Sequence, residues 1–218
     1  MHFEPPNKTI GSIKEFALHY AMIVLSILTA LGLEQALVTV HHKSEARQAK
    51  SEIEHEIAEN EKAVGDAIVQ TKANLTIWKN LLEKGRLQYV SGKSDPPQSQ
   101  ALLQEALANY SDALPALRTT AWDAAFANQS VTYLDTADLR RFSDLYAVQK
   151  FLTQASFSLA VDSASRNFNE LTLAIATNSG DPRQTVEILN GRVILISIIN
   201  SHLAQLNNAY KEKHKPAH

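Results

Sequence analysis

A continuous apolar pattern begins at Phe16 and extends to Leu33, FALHYAMIVLSILTALGL, with no Asp, Glu, Lys or Arg. Extended to Ala36, the run has 21 residues and admits one formally charged residue, Glu34. A helix needs about 20 predominantly apolar residues to cross the hydrocarbon core of a bilayer. The pattern therefore predicts a transmembrane helix over residues 16–36, preceded by a short N-terminal segment, residues 1–15.

Two other interpretations of this run are open. A cleaved signal peptide would fit the small-x-small triplet Ala30-Leu31-Gly32, and a buried helix of a soluble protein would also be apolar. The helical pattern continues past the triplet without a break, and 18 uncharged residues are long for a soluble core helix. Both features favour the anchor. The flanking lysines and arginines are nearly balanced, so the expectation of a cytoplasmic N-terminus rests only weakly on charge.

Residues 41–93 change to a mixed pattern of charged and apolar residues. Apolar positions recur in steps of 4, 3, 4, 3 and 4 at Val64, Ile68, Thr71, Leu75, Trp78 and Leu82, and Ile57 and Tyr89 extend the series. A heptad-like stripe of this kind predicts a helix that packs against neighbouring helices. The preceding acidic cluster is expected to form a solvated helix face; its members are Glu52, Glu54, Glu56, Glu59 and Glu61.

A loop and two short helices are predicted next. The sequence SGKSDPP at residues 91–97 ends the preceding helix, because glycine favours helix ends and proline cannot continue a helix. A short helix is predicted over residues 98–110. Pro115 interrupts the pattern, and Thr119 or Thr120 is expected to cap a further short helix.

Two long helices are predicted for the rest of the chain. Asp135 precedes the first of them, which ends at a loop over residues 178–180. Asp181 and Pro182 form a well-defined start for the second, since aspartate caps a helix and proline suits its first position. This last helix is expected to run to about Lys211.

The predicted fold class is all-α: an N-terminal transmembrane helix that continues into a bundle of about three long and two short helices. The bundle domain is assigned to residues 41–213, with a flexible tail at residues 214–218. The apolar centre of the last helix, residues 193–199, is too short to span a bilayer and is predicted to lie buried in the bundle.

Composition excludes several function classes. The formal net charge is −2, which does not favour a nucleic-acid binder with a basic face. The absence of cysteine excludes disulfides, thiolate zinc sites and cysteine nucleophiles. Only 7 glycines and 7 prolines fit long helices better than a fold with many turns.

Motifs for catalysis or metal binding are weak. No phosphate-binding loop, dinucleotide fingerprint or G-x-S-x-G elbow occurs in the sequence. Glu52 and His55 have the E-x-x-H spacing of di-iron bundles, but such sites need two copies. His41, His42 and Glu45 are a looser candidate ligand cluster. We therefore predict a protein that is not an enzyme, with no catalytic residue, cofactor or metal.

Three further positions are singled out by residue type. Trp78 and Trp122 are the two largest apolar side chains and are predicted to lie in the core. Arg118 precedes Thr119 and Thr120 at the start of a short helix. Capping is the expected role of this group, and binding of a small anion at the helix N-terminus is the alternative.

The candidate partner-interaction residues lie in the predicted anchor. Glu34 is a carboxylate near membrane depth, where it is either solvated among headgroups or paired with a cation of a partner subunit. Ser26 with Ala30, and Gly32 with Ala36, have the small-x-x-x-small spacing that allows two helices to approach closely.

The run IKEFALHYAMIVLSILTALGLEQ at residues 13–35, the charged helix after it and the later element RTTAW at residues 118–122 together resemble a group of uncharacterised bacterial single-pass membrane proteins. The resemblance is sharpest over about 25 residues at the anchor. It implies an N-terminal anchor in the bacterial inner membrane, a helical extramembrane domain and a large C-terminal domain in the periplasm. It implies no reaction, cofactor or catalytic residue.

The expected function is that of a membrane-anchored, non-catalytic interaction protein, an accessory or scaffold subunit of a larger membrane assembly. Its expected partners are the lipid bilayer and other membrane protein subunits or further copies of itself, with no nucleic acid. A sensor-like helical bundle that binds a small ligand is the alternative, because bundles offer pockets between their helices.

Overall fold

A computed structural model describes residues 13–92, 96–111, 114–179 and 181–213 of the protein. These residues form five α-helices: α1 (Ile13–Val90), α2 (Pro96–Ala108), α3 (Thr120–Ala127), α4 (Thr136–Ala176) and α5 (Pro182–Lys213). A short 3₁₀ helix, Ser130–Tyr133, lies between α3 and α4, and none of the described residues forms a strand. The predicted all-α fold is confirmed, with a long apolar N-terminal helix that continues into a helical bundle.

Helix α1 has 78 residues without a break, which corresponds to a length of about 117 Å at 1.5 Å per residue. Its first part, residues 13–41, is exposed at every position and is called the N-terminal arm below. Its second part, residues 42–90, is called the bundle segment because it contributes buried residues to the bundle from Ala49 onward. By length and composition alone, α1 is long and apolar enough to cross a membrane.

The chain passes along the bundle four times, alternating in direction. The second pass runs back along α1, since Lys84 pairs with Glu105 of α2 and Ala121 of α3 contacts Glu56. The third pass, α4, runs parallel to α1, and the fourth, α5, returns antiparallel to it. Helices α1 and α5 approach each other closely at Gly85, where an added Cβ would lie 3.2 Å from a methyl carbon of Leu189.

Two clusters of buried side chains form the core. The proximal core lies towards the N-terminal arm and the distal core towards the other end of the bundle segment. The largest fully buried residues of the proximal core are Ile53, Val64, Phe142, Leu145, Leu206 and Tyr210. Those of the distal core are Trp78, Leu81, Leu103, Leu171 and Leu189. The predicted α1 stripe supplies both clusters, but its expected extension at Tyr89 is wrong, because that side chain is 54% exposed.

The second pass is not helical along its whole length. Residues 114–119 have no regular secondary structure and are called the non-helical segment below. The Asn74 side chain donates to the backbone oxygen of Ser111, and the Asn60 side chain donates to that of Arg118. These two α1 positions are about 21 Å apart, whereas seven residues of helix would cover only about 10 Å. The second pass therefore covers this part of the bundle with a single chain in place of a helix.

Most predicted helix starts are correct. Asp135 caps α4 by accepting a hydrogen bond from the backbone N–H of Asp138 at 2.8 Å. Asp181 accepts from the N–H of Arg183 at the start of α5. Thr119 occupies the N-cap position of α3, one of the two predicted caps, but its hydroxyl donates to the Asp123 carboxylate and makes no cap hydrogen bond to the backbone. Most of the predicted N-terminal segment, residues 1–12, and the predicted tail at residues 214–218 lie outside the described residues.

Candidate functional site

A buried carboxylate joins α1 to α3 and α4. Glu56 is 5% exposed, so the expectation that it belongs to a solvated face is wrong. Its Oε1 accepts a hydrogen bond from the Tyr146 hydroxyl at 2.6 Å, and its Oε2 accepts from the backbone N–H of Ala121 at 2.9 Å. The first-turn N–H of α3 therefore bonds to a carboxylate of the protein itself, which argues against the free-anion site considered for Arg118.

A second set of buried polar groups holds the end of the non-helical segment. Asn60 bonds to both backbone groups of Arg118, donating to its oxygen at 2.8 Å and accepting from its N–H at 2.9 Å. Gln149 of α4 also donates to the Arg118 oxygen, at 3.0 Å, and accepts from the Tyr210 hydroxyl at 2.6 Å. These bonds satisfy backbone groups that a helix would have paired internally.

Burial also perturbs the two tyrosines of this network. Loss of hydration raises the pKa of Tyr146, and the hydrogen bond from its hydroxyl to Glu56 raises it further. Burial likewise raises the pKa of Tyr210, with a smaller contribution from the charge on Glu56. Both hydroxyls therefore remain protonated donors at any physiological pH.

A cavity of about 70 Å³ lies beside the non-helical segment. Its walls come from that segment, from α4 and from α5, and its lining residues are Leu114, Pro115, Leu117, Leu152, Thr153, Ser156, His202, Leu203 and Leu206. One polar pair interrupts the apolar wall: the Ser156 Oγ and the His202 Nδ1 lie 2.9 Å apart and share a hydrogen bond. Ser156 itself is 5% exposed.

A wider groove of about 720 Å³ adjoins the cavity between α3 and α4. Leu117 and Thr153 line both spaces, so the groove and the cavity are direct neighbours. Trp122 forms one wall and stacks on Tyr146, with ring centroids 5.2 Å apart and planes within 11°. Trp122 is thus a partly exposed groove residue and only partly a core residue, in contrast to the fully buried Trp78.

The distal core contains a fully buried arginine. The Arg192 guanidinium lies 3.9 Å from the ring centroid of Tyr110 and 5.5 Å from that of Trp78. It also donates a hydrogen bond to the backbone oxygen of Ser111 at 2.7 Å. This residue fixes the chain just before the non-helical segment, as Asn60 and Gln149 fix its end.

The candidate partner-interaction residues all lie on the N-terminal arm, outside the bundle. In a continuous helix, Ser26, Ala30 and Glu34 follow each other at intervals of four residues and share one face. Gly32 and Ala36 lie on the opposite face, about 160° from Glu34 at 100° per residue. The Ser26 hydroxyl donates to the backbone oxygen of Met22 in its own helix, and an added Cβ at Gly32 would meet no atom within 4 Å.

The candidate metal ligands are dispersed. His41 pairs with Glu45 at 3.2 Å, whereas the neighbouring His42 stacks on Tyr133 with ring centroids 3.8 Å apart. His55 approaches Glu59, which also receives a hydrogen bond from the Arg118 side chain. In the part of the chain that the structure describes, no group of three or more His, Asp or Glu side chains is arranged to hold a metal ion.

Comparison with known proteins does not assign the chain to a family. No protein-family model matches it, and neither the curated proteins nor the solved structures contain a match.

Proposed function

We propose that the protein is a membrane-anchored, non-catalytic interaction protein that serves as an accessory or scaffold subunit of a larger membrane assembly. The observation that carries this proposal is the continuity of α1. The arm that suits a bilayer and the segment that forms the centre of the bundle belong to one unbroken 78-residue helix. A continuous helix is a stiff connection, whereas a flexible tether would need glycine or a loop between the two parts.

Contacts at the base of the bundle support the same proposal. Tyr133 of the 3₁₀ helix stacks on His42, the first position after the N-terminal arm. About two turns into the bundle segment, Lys50 forms a hydrogen-bonded ion pair with Asp138 at the start of α4, and this hydrogen bond raises the pKa of the Lys50 ammonium. The helical domain is therefore braced against α1 immediately beyond the proposed membrane surface, which suits a fixed spacer or scaffold.

The arm offers two different surfaces to partner helices in the membrane. The face with Gly32 and Ala36 is small and permits close backbone approach. The opposite face carries Glu34, whose carboxylate gains most from a cation of a partner if it lies at membrane depth. We place the protein in a bacterial inner membrane as a single-pass subunit, with the large C-terminal domain in the periplasm.

The test is purification of the full chain from its own membrane in a gentle detergent, followed by measurement of mass and composition. We expect a companion protein in a fixed ratio. Gly32→Ile should release that companion, and Glu34→Gln should weaken its retention. The matched control is Leu31→Ile, which changes the neighbouring position without changing residue size.

A stable monomer without any companion would contradict the proposal. A homo-oligomer would limit the partner to further copies of this chain. Equal retention of the companion by Gly32→Ile and Leu31→Ile would show that the small face of the arm is not the contact.

A further inference from the structure

The cavity beside the non-helical segment has no role in a scaffold. It exists because the non-helical segment, residues 114–119, covers α4 and α5 at this point. In a bundle of four full helices, side chains of the fourth helix would fill the same space. Residues on all three sides hold this arrangement, since Asn60 and Gln149 bind the backbone of Arg118 and Arg192 binds that of Ser111. Three buried side chains thus hold the backbone on both sides of this space, which makes the space a built feature of the fold.

We infer that this cavity binds a small neutral amphiphile, a molecule with a short apolar body and one hydroxyl group, and that the Ser156–His202 pair holds the hydroxyl. A serine hydroxyl can donate one hydrogen bond and accept two. Its bond with His202 therefore leaves capacity for a ligand hydroxyl at the same position. The inference is independent of the proposed membrane partner.

The lining residues argue against a cluster of water as the resident. Six of the nine are leucine or proline, and only Thr153, Ser156 and His202 have polar side chains. A buried water makes about three hydrogen bonds, so several waters in this cavity would lack partners. An apolar body with a single hydroxyl matches such a wall better.

The volume limits the ligand to a few heavy atoms. A cavity of about 150 Å³ holds benzene, and this one has about half that volume. The described lining residues carry no Asp, Glu, Lys or Arg, so a charged ligand would lose its hydration without compensation. Aliphatic alcohols of three to five carbons are the appropriate class of probe.

The same geometry argues for binding and against acyl transfer. None of the described lining residues provides a carboxylate to orient His202. Ser156 lies in the middle of α4, where the backbone N–H groups are bonded within the helix and cannot stabilise an oxyanion. The pair therefore has the hydrogen-bonding capacity of a binding site without the additional groups of a nucleophile.

The experiment is a titration of the full chain in lipid nanodiscs with 1-propanol, 1-butanol and 1-pentanol, followed by the methyl NMR signals of Leu203 and Leu206. Free alcohol is measured against empty nanodiscs, because alcohols also partition into lipid. We expect saturable shifts and an affinity that rises roughly fourfold for each added methylene until the cavity is full.

Two matched variants separate the site from general partitioning. Ser156→Ala removes the buried hydroxyl and should weaken alcohol binding roughly fivefold. Ser158→Ala makes the same change at an exposed position of α4 and should leave binding unchanged. Linear shifts without saturation, or equal affinity in the two variants, would overturn the inference.

Discussion

The N-terminal arm and the bundle segment are two parts of one helix with opposite surroundings. The arm, residues 13–41, is exposed at every position. The bundle segment, residues 42–90, contributes fully buried side chains to both cores, among them Ile53, Val64 and Trp78. The backbone geometry is the same in both parts, so the distribution of apolar residues around the axis accounts for the difference: all round in the arm, one-sided in the bundle segment.

Helix α5 sharpens this comparison. Over Pro182–Glu212 it too is long and apolar enough to cross a membrane. Its apolar positions nevertheless pack on α1 and α4, and it carries the buried Arg192. Being apolar enough to cross a membrane therefore does not by itself distinguish an arm from a core helix, whereas the position of polar residues around the helix does.

The largest expected effect comes from charges in the arm. Leu25→Arg together with Leu28→Arg should remove the protein from the membrane fraction, because each arginine at the centre of a spanning helix costs about 2.5–3.5 kcal/mol. The measurement is the share of protein that resists alkaline extraction from membranes. The control is Val69→Arg with Leu87→Arg, which places two charges on exposed apolar positions of the bundle segment. Equal retention of both variants would contradict an anchor.

The next effect concerns the buried stripe of the bundle segment. Trp78 is fully buried, so Trp78→Ala should lower the free energy of unfolding by about 3–5 kcal/mol. For a bundle of this size, the melting temperature should fall by on the order of 10 °C. The control is Ile77→Ala at the neighbouring, 40% exposed position. Similar melting curves for the two variants would be inconsistent with a core role for Trp78.

A smaller loss is expected at the buried carboxylate. Glu56→Ala removes the acceptor for the Tyr146 hydroxyl and the Ala121 N–H, and should cost about 2–3 kcal/mol because both donors remain buried without a partner. Glu52→Ala, one turn earlier and exposed, should change stability by less than about 0.5 kcal/mol. Chemical denaturation measures both. If the two variants lost the same stability, Glu56 would belong to the solvated face after all.

The smallest effect depends on pH. The pKa of Tyr146 is raised in the folded protein, whereas an unfolded tyrosine titrates near pH 10. Above about pH 10 only the unfolded state releases this proton, so the free energy of unfolding should fall by about 1.4 kcal/mol per pH unit. Below pH 10 this residue should have no such effect.

Chemical denaturation between pH 9 and 11.5 tests whether the free energy of unfolding falls with rising pH as expected. Tyr146→Phe should make the decline shallower, and Tyr89→Phe, at a 54% exposed position, should not. Identical slopes in the two variants would assign the alkaline loss to other groups.

The fold could be predicted from the sequence because its signals are local. The uncharged run, the stripe from Val64 to Leu82 and the helix starts at Asp135 and Asp181 each depend on residues within one helix. The structure reproduces these features, together with the interruption at Pro115.

The candidate site could not be predicted because it joins residues far apart in the chain. Ser156 and His202 are separated by 46 positions, and neither belongs to a recognisable motif. Glu56 has the same sequence context as its exposed acidic neighbours. Its two hydrogen-bond partners, Ala121 and Tyr146, lie 65 and 90 residues later in the chain.

The unbroken course of α1 also fixes the rotational orientation of the bundle about the helix axis. Because the helix is continuous between the arm and the bundle, every face of the bundle lies at a fixed rotation angle about the α1 axis relative to Glu34. One residue inserted within 37–41 would rotate the bundle by about 100° around the helix axis relative to the arm. Seven inserted residues would restore the original orientation to within about 20° and move the bundle about 10 Å further along the helix axis.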